Sequence, residues 1–396
     1  MRRTQVVGQV MTPTGLVADG VVAVVDGTIE YVGPRDRYDV DEAGARVDAE
    51  ILHPPEQGIV LPGLVDLHDH GGGGASFGDT DPNSIATAAA QHSGHGTTTL
   101  VASLVTDAPD RMLAAVAAAA DAAEVGTVTA VHLEGPFLAT ARCGAQDPRH
   151  LRDPDAGLTR ELLDAGRGHV RVMTLAPELT GADEVARVLL GHGVVPAVGH
   201  TEAGADVVRR TLAETRAALG RPGLVTHLFN GMPPLHHRHP GPVAGALSAA
   251  ARGDAVVELV ADGVHLDDDT VRMVFDLLGP HRIALVTDAT AATGMPDGSY
   301  DLGPQTAHVR GAVARLGLGD DAPLAGGTTH LLDVVRRCVL AGIDLADAVT
   351  AASLTPATVL GVGDIGVLAR GHRADLLVTD ADLRPVRVMR AGEWVA

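Results

Sequence analysis

Eight apolar runs punctuate the chain: Ile59–Leu67, Thr97–Val105, Thr127–Leu133, His169–Leu175, Val194–Val198, Leu224–Thr226, Val256–Val260 and Arg282–Thr287. Most are continuous Val, Leu, Ile and Ala rather than strict alternations, the pattern of parallel strands buried on both faces. Alanine-rich segments of helical length separate most of them: Ser84–Ser93, Pro109–Ala123, Ala182–Gly191, Ala205–Leu219 and Asp267–Leu278. Strands alternating with helices predict an α/β protein built on a (β/α)8 TIM barrel.

The two ends of the chain read differently. Val21–Val25 and Thr28–Val32 flank Asp26-Gly27, a strong hairpin signal. Ala374–Thr379 and Val386–Met389 look alike at the other end. Neither end is long enough for a core of its own. The expectation is a small β-sandwich domain from residues 1–60 and 366–396, beside a barrel spanning 61–365. Thr293 to Gly327 is rich in Gly, Pro and Asp, and its Pro296-Asp297-Gly298-Ser299 turn predicts a hairpin flap over the barrel mouth.

Polar residues interrupt the apolar pattern where a barrel carries its chemistry, at the C-terminal ends of strands. His68 and His70 close the first run at alternate positions, so their imidazoles point the same way. Glu134, His200, His227 and Asp288 each follow a further run. One His-x-His is weak in a chain with 19 histidines. Six such groups converging on one mouth point to a metal site. A carboxylate in Leu133-Glu134-Gly135-Pro136 without a partner would cost several kcal/mol, which a metal explains. His132 lies on the same face as Glu134 and reads as a core histidine. His53, His92, His150, His192, His281 and His372 read as solvated or structural. Nitrogen and carboxylate donors without thiolates suit zinc, with iron(II), cobalt and manganese as alternatives.

Composition narrows the field. A formal charge of −20 disfavours nucleic acid and anionic membrane as partners. The longest apolar runs are far short of a membrane span. The start, Arg2-Arg3-Thr4-Gln5, has no long hydrophobic stretch after it, so no signal peptide and a cytoplasmic location are expected. Cys143 and Cys338 read as free thiols. The chain has no lysine; all 30 basic residues are arginine. That excludes Schiff-base chemistry and a carboxylated lysine bridging two metals. Aromatic residues are only 2% of the chain, too few for a polysaccharide-stacking platform.

These motifs carry a resemblance. Leu61-Pro62-Gly63, Asp66, His68 and His70, together with Ser353-Leu354-Thr355-Pro356-Ala357 and Gly371-His372-Arg373-Ala374-Asp375-Leu376, resemble the amidohydrolase superfamily. Within it, His132-Leu133-Glu134-Gly135-Pro136-Phe137, Val198-Gly199-His200-Thr201, Thr226-His227-Leu228-Phe229-Asn230-Gly231-Met232-Pro233 and Ala261-Asp262-Gly263-Val264-His265 are similar to N-acetylglucosamine-6-phosphate deacetylases. The resemblance covers nearly the whole chain. It implies metal-dependent hydrolysis of the acetamide of a small phosphorylated amino sugar. Glu134, His200 and His227 would hold one metal ion, and His68 with His70 allows a second. Asp288 would be the general acid/base. Asn230, Gly231, Arg238 and His265 would bind substrate, with Arg238 gripping the phosphate across a homodimer interface. Gln146 stands where the family commonly has a histidine that contacts the sugar hydroxyls, which admits N-acetylgalactosamine 6-phosphate as an alternative substrate. Two further readings are an amidohydrolase acting on a cyclic amide or N-acyl amino acid, and a non-catalytic scaffold barrel.

Overall fold

The computed structural model describes residues 2–38 and 50–395; the stretch 39–49 of the expected N-terminal segment lies outside the described residues. Eight parallel strands form one sheet in chain order: Leu64–Asp69, Thr97–Val105, Ala130–Glu134, Val170–Leu175, Val195–Val198, Gly223–Val225, Ala255–Leu259 and Ile283–Leu285. Each predicted run contains or overlaps one of them. The first run, however, serves two sheets. Ile59–Pro62 pairs with Leu376–Thr379 and Arg3–Thr12, and the chain enters the barrel only after Gly63. A Cβ at Gly63 would lie 2.2 Å from Thr98 Oγ1, so only glycine fits this crossing.

Val65, Leu67, Val101, Val172, Val195, Leu224 and Val256 fill the barrel interior, all buried. Ala357, Val359 and Leu360 of the helix Leu354–Leu360 join the same cluster and plug the barrel floor. Helices Pro82–Ser93, Pro109–Glu124, Ala182–Gly191, Ala205–Leu219 and Asp268–Leu278 occupy the predicted places. Asp267 caps the last of these by accepting from Asp269 N. Helices Ala156–Ala165 and Gly241–Ala251 have weaker sequence signals. The second is nearly all Ala, Gly, Val and Leu, so no polar face reveals its period.

No ladder joins the eighth strand to the first. The chain beyond the eighth strand makes the closure instead. Asp288 N donates to His68 O (2.9 Å), His70 N donates to Ala289 O (2.7 Å), and Thr287 Oγ1 donates to the buried Asp66 Oδ2 (2.7 Å).

Both chain ends meet in one eight-stranded sheet. Its hairpin Gly15–Val25 to Thr28–Pro34 turns at Asp26 (φ 45°) and Gly27 (φ 82°), the paired positive φ values that Asp-Gly favours. The excursion forms three antiparallel strands, Gly298–Leu302, Gln305–Arg310 and Val313–Arg315. Its hairpins turn at Gly303-Pro304 and Gly311-Ala312, while Pro296–Ser299 only leads into the first strand. Cys143 and Cys338 are free thiols. No helix among the described residues is long and apolar enough to cross a membrane.

The barrel seam yields a stability test. Thr287→Val keeps the side-chain shape but strands Asp66 Oδ2 and Ala289 N, which both bond Thr287 Oγ1. Unsatisfied buried polar groups should lower stability by about 1–3 kcal/mol, read as a shift in the urea midpoint at unchanged slope.

Candidate active site and metal centre

The six polar groups at the strand ends come together in one cluster. His68 lies in the first strand and Glu134 ends the third; His70, His200, His227 and Asp288 sit just beyond their strands. His200 (φ 48°), His227 (φ 27°) and Asp288 (φ 48°) adopt left-handed backbone, which departs from the extended course of the strands preceding them. Non-glycine residues tolerate that conformation at a cost, and it gathers at functional sites.

Two triads result. Glu134, His200 and His227 form one; His68, His70 and Asp288 form the other; within each, one ligand atom per residue lies within 4.8 Å of the others. Glu134 Oε1 stands 2.9 Å from His200 Nε2 and 3.0 Å from His227 Nε2. Its Oε2 faces His70 Nε2 at 3.2 Å. Asp288 Oδ1 is 3.4 Å from both His68 Nε2 and His70 Nε2. Glu134 therefore faces both triads.

The donor chemistry fits divalent cations. His68 Nδ1 meets Glu258 Oε2 (3.1 Å), His70 Nδ1 meets Ser103 O (3.1 Å) and His200 Nδ1 meets Arg142 O (2.7 Å). Carbonyl and ionised carboxylate oxygens only accept, so each Nδ1 carries a proton and donates it. In the neutral ring Nε2 is then a lone pair. His68 and His70 oppose their Nε2 atoms at 3.0 Å, and His200 and His227 oppose theirs at 3.1 Å. The lone pairs of His68 and His70 so close to one another, and that of His200 so close to Glu134 Oε1, repel unless positive charge lies among them.

The titration directions agree. Burial pulls the His68 imidazole down, but the Glu134 and Asp288 carboxylates outweigh it and hold it well above the usual histidine value. His70 and His200 are raised against burial in the same way, Glu134 contributing to both. Burial opposes ionisation of Glu134 and Asp288, yet neighbouring imidazoles keep both carboxyls below the usual range. The cluster favours cationic charge, as protons or as metal.

A cavity of about 270 Å³ opens onto this cluster. Gln146, Asn230, Gly231 and His265 line it beside Glu134 and Asp288, as does Leu302 of the excursion. Arg238 does not line it. The residue is exposed, and its guanidinium makes no hydrogen bond or ion pair with any described residue.

The family of the chain is shown by its sequence. The profile described as Amidohydrolase family matches residues 59–395. The chain belongs to the amidohydrolase family. Among solved structures it is similar to an N-acetyl-D-glucosamine-6-phosphate deacetylase mutant from Mycobacterium smegmatis in complex with N-acetyl-D-glucosamine-6-phosphate, with 40% identity, TM-score 0.90 and 100% of both chains covered. It is 29% identical to the N-acetylglucosamine-6-phosphate deacetylase of Bacillus subtilis strain 168, over 97% of this chain and 94% of that one. It is 32% identical to an N-acetylgalactosamine-6-phosphate deacetylase of Escherichia coli O157:H7, over 97% of each.

In this amidohydrolase further groups support the cluster, of which Glu258 escapes a reading by motif. Glu258 is fully buried in the seventh strand and joins His68 Nδ1 to the backbone N of His227 (3.1 Å each). Asp262 accepts from Val264 N and His265 N and pairs with His265 Nδ1 at 2.8 Å, leaving Nε2 as the free ring nitrogen. Gln146 donates from Nε2 to Glu134 Oε2 (2.5 Å) and accepts from Thr106 N (2.8 Å), so its amide holds the carboxylate that faces both triads. His132 is a buried core histidine between Ser103 Oγ (2.9 Å) and Thr174 Oγ1 (2.7 Å). Burial and the nearby His68 hold it well below the usual histidine value, in the neutral form.

Metal analysis tests the centre. Glu134→Gln removes the charge that faces both triads and should cost most of the bound metal while the circular-dichroism spectrum stays native. Acidification should release metal from the wild type. His68, His70 and His200 are raised above about 6.5, so protons compete for the ligand atoms from above that pH. Dialysis over a pH series followed by metal assay reads both effects.

Proposed function

We propose that this chain hydrolyses the acetamide of N-acetyl-D-glucosamine 6-phosphate to D-glucosamine 6-phosphate and acetate, a step of amino-sugar metabolism. The observation that carries this reading is the full-length likeness, at 40% identity, to the Mycobacterium smegmatis protein in complex with that sugar phosphate. A single barrel mouth that holds both triads and opens into a cavity lined by Gln146, Asn230 and His265 supports it.

Glu134, His200 and His227 would hold one divalent ion, zinc by its donor set, and His68, His70 and Asp288 a second. When bound, such ions supply Lewis-acid polarisation of the acetyl carbonyl and acidify water. The remaining work belongs to side chains. Asp288, kept ionised by its imidazole neighbours, accepts a proton from the attacking water. The water oxygen adds to the carbonyl carbon. Asp288 then delivers the proton to the sugar nitrogen as the carbon–nitrogen bond breaks, giving acetic acid and the free amine, between which the remaining water proton passes to leave acetate and an ammonium group. An amine is a poor leaving group, which makes the second transfer essential. His265, fixed by Asp262, offers Nε2 to the substrate, and Asn230 and Gly231 line the sugar side of the cavity.

Arg238 is the phosphate ligand in this reading. Its exposed guanidinium, unpaired among the described residues, lies outside its own chain's cavity, which suits service to a partner's site in a homodimer. Arginine is also the only fixed cation the chain has for a bidentate phosphate contact. The sheet built from both chain ends, which takes in Ile59–Pro62, would be a small domain beside the catalytic barrel that starts after Gly63. The working compartment is the cytoplasm.

Free-amine release from N-acetylglucosamine 6-phosphate, its galacto isomer and both unphosphorylated sugars tests the assignment; a preference for a non-phosphorylated amide would overturn it. Asp288→Asn should lower kcat by about 10²–10⁴. Arg238→Ala should raise KM for the phosphorylated sugar, lowering kcat/KM by about one to two powers of ten, the worth of a hydrogen bond to a charged group. Mixing the two variants should restore part of the activity, since one site of the heterodimer regains both groups. No recovery despite proven subunit exchange would place Arg238 in its own chain's site.

A further inference from the structure

The opposite end of the barrel carries a second concentration of unspent polar groups. A cavity of about 490 Å³ opens at the N-terminal ends of the third to sixth strands. Arg171 and Arg221 line it together, with Thr129 beside them. Glu134, His200 and His227 lie at the other ends of three of those strands, so this pocket is separate from the active centre.

Among the described residues the arginines have no counter-charge. Arg171 is exposed and makes no hydrogen bond or ion pair with any described residue. Half-buried Arg221 donates once, from Nη2 to Gly193 O (2.7 Å), and pairs with no described carboxylate. Its guanidinium rests against bare backbone: a Cβ at Gly361 would lie 2.6 Å from Nη1. Burial and then the charge of Arg171 push the Arg221 guanidinium below its usual value. The Thr129 hydroxyl likewise has no partner among the described residues, although Thr129 N bonds Leu100 O.

An exposed arginine alone is ordinary. Two that repel each other across one pocket, in a chain with 50 acidic and 30 basic residues, are not. Some surface arginines find carboxylates, as Arg167 does with Asp121 and Glu124, whereas Arg171 and Arg221 face each other across a shared pocket. Leu219, Leu360 and Val362 give the same cavity an apolar wall.

We propose that this floor pocket is an anion site for a small phosphomonoester, with Arg171, Arg221 and Thr129 holding the phosphate and the apolar wall taking its carbon skeleton. Two guanidinium groups match a dianion, and arginine forks suit phosphate oxygens. The site is independent of the deacetylase reading, because none of its residues touches the metal cluster.

Equilibrium dialysis with labelled inorganic phosphate tests it, with phenyl phosphate as the second probe. The wild type should bind a further phosphate per chain beyond the one at the barrel mouth, and phenyl phosphate should bind the floor more tightly. Arg171→Gln changes an exposed residue and should fold normally. It should weaken floor binding about tenfold, as expected for a lost charge-assisted contact, while leaving kcat and KM for the deacetylation unchanged. Thr129→Val should weaken it by less. A wild type that binds phosphate only at the mouth overturns the proposal, as does phosphate binding unaltered in both Arg171→Gln and Arg221→Gln.

Discussion

The site is organised around one carboxylate that cannot be buried alone. Glu134 is 3% exposed and lies within 3.6 Å of ring nitrogens from His68, His70, His200 and His227. An unpaired charge there would cost several kcal/mol. Each imidazole is useful only while its Nε2 faces inward, and for His68, His70 and His200 that orientation is set by an acceptor on Nδ1. The seventh strand must therefore place Glu258, the second must present the Ser103 carbonyl, and the loop after the third must offer Arg142 O. The electrostatic demand of one buried group thus reaches elements that contribute no ligand.

Barrel and ligands are legible in the sequence for the same reason. Strands buried on both faces must be apolar throughout, so a His, Glu or Asp at the end of such a run stands out. The sequence reading places all six groups of the two triads at strand ends, and the structure gathers them at one mouth. The boundary between the two sheets is less legible. Ile59–Leu67 is uniformly apolar, and only the close approach of Thr98 to Gly63 reveals where one sheet ends. Gly241–Ala251 hides its helical period because nearly every position is apolar.

Supporting residues are legible only in part. Glu258 sits inside Val256-Val257-Glu258-Leu259, and a buried strand carboxylate is a signal that sequence alone could carry. Asp262 belongs to a quoted motif, but its bond to His265 depends on a loop conformation. The acceptors on His70 and His200 are backbone carbonyls, which no side-chain pattern records. Gln146 is singled out in the sequence by the resemblance alone; its contact with Glu134 becomes evident only when a loop and a strand end are seen together.

The closure of the barrel ties mechanics to chemistry. Seven neighbouring pairs of strands share ladders, whereas the eighth strand reaches the first only through residues 287–289. The backbone N of Asp288 holds the wall together, and its carboxylate faces the ligands. Local opening begins where backbone pairing is sparsest. In this molecule that place also holds Asp288, the proton carrier of the proposed reaction. On the proposed role of Asp288, breathing of the wall would displace its carboxylate before the remaining strands part, and turnover would be lost on heating with the loosening of one join rather than the melting of the whole.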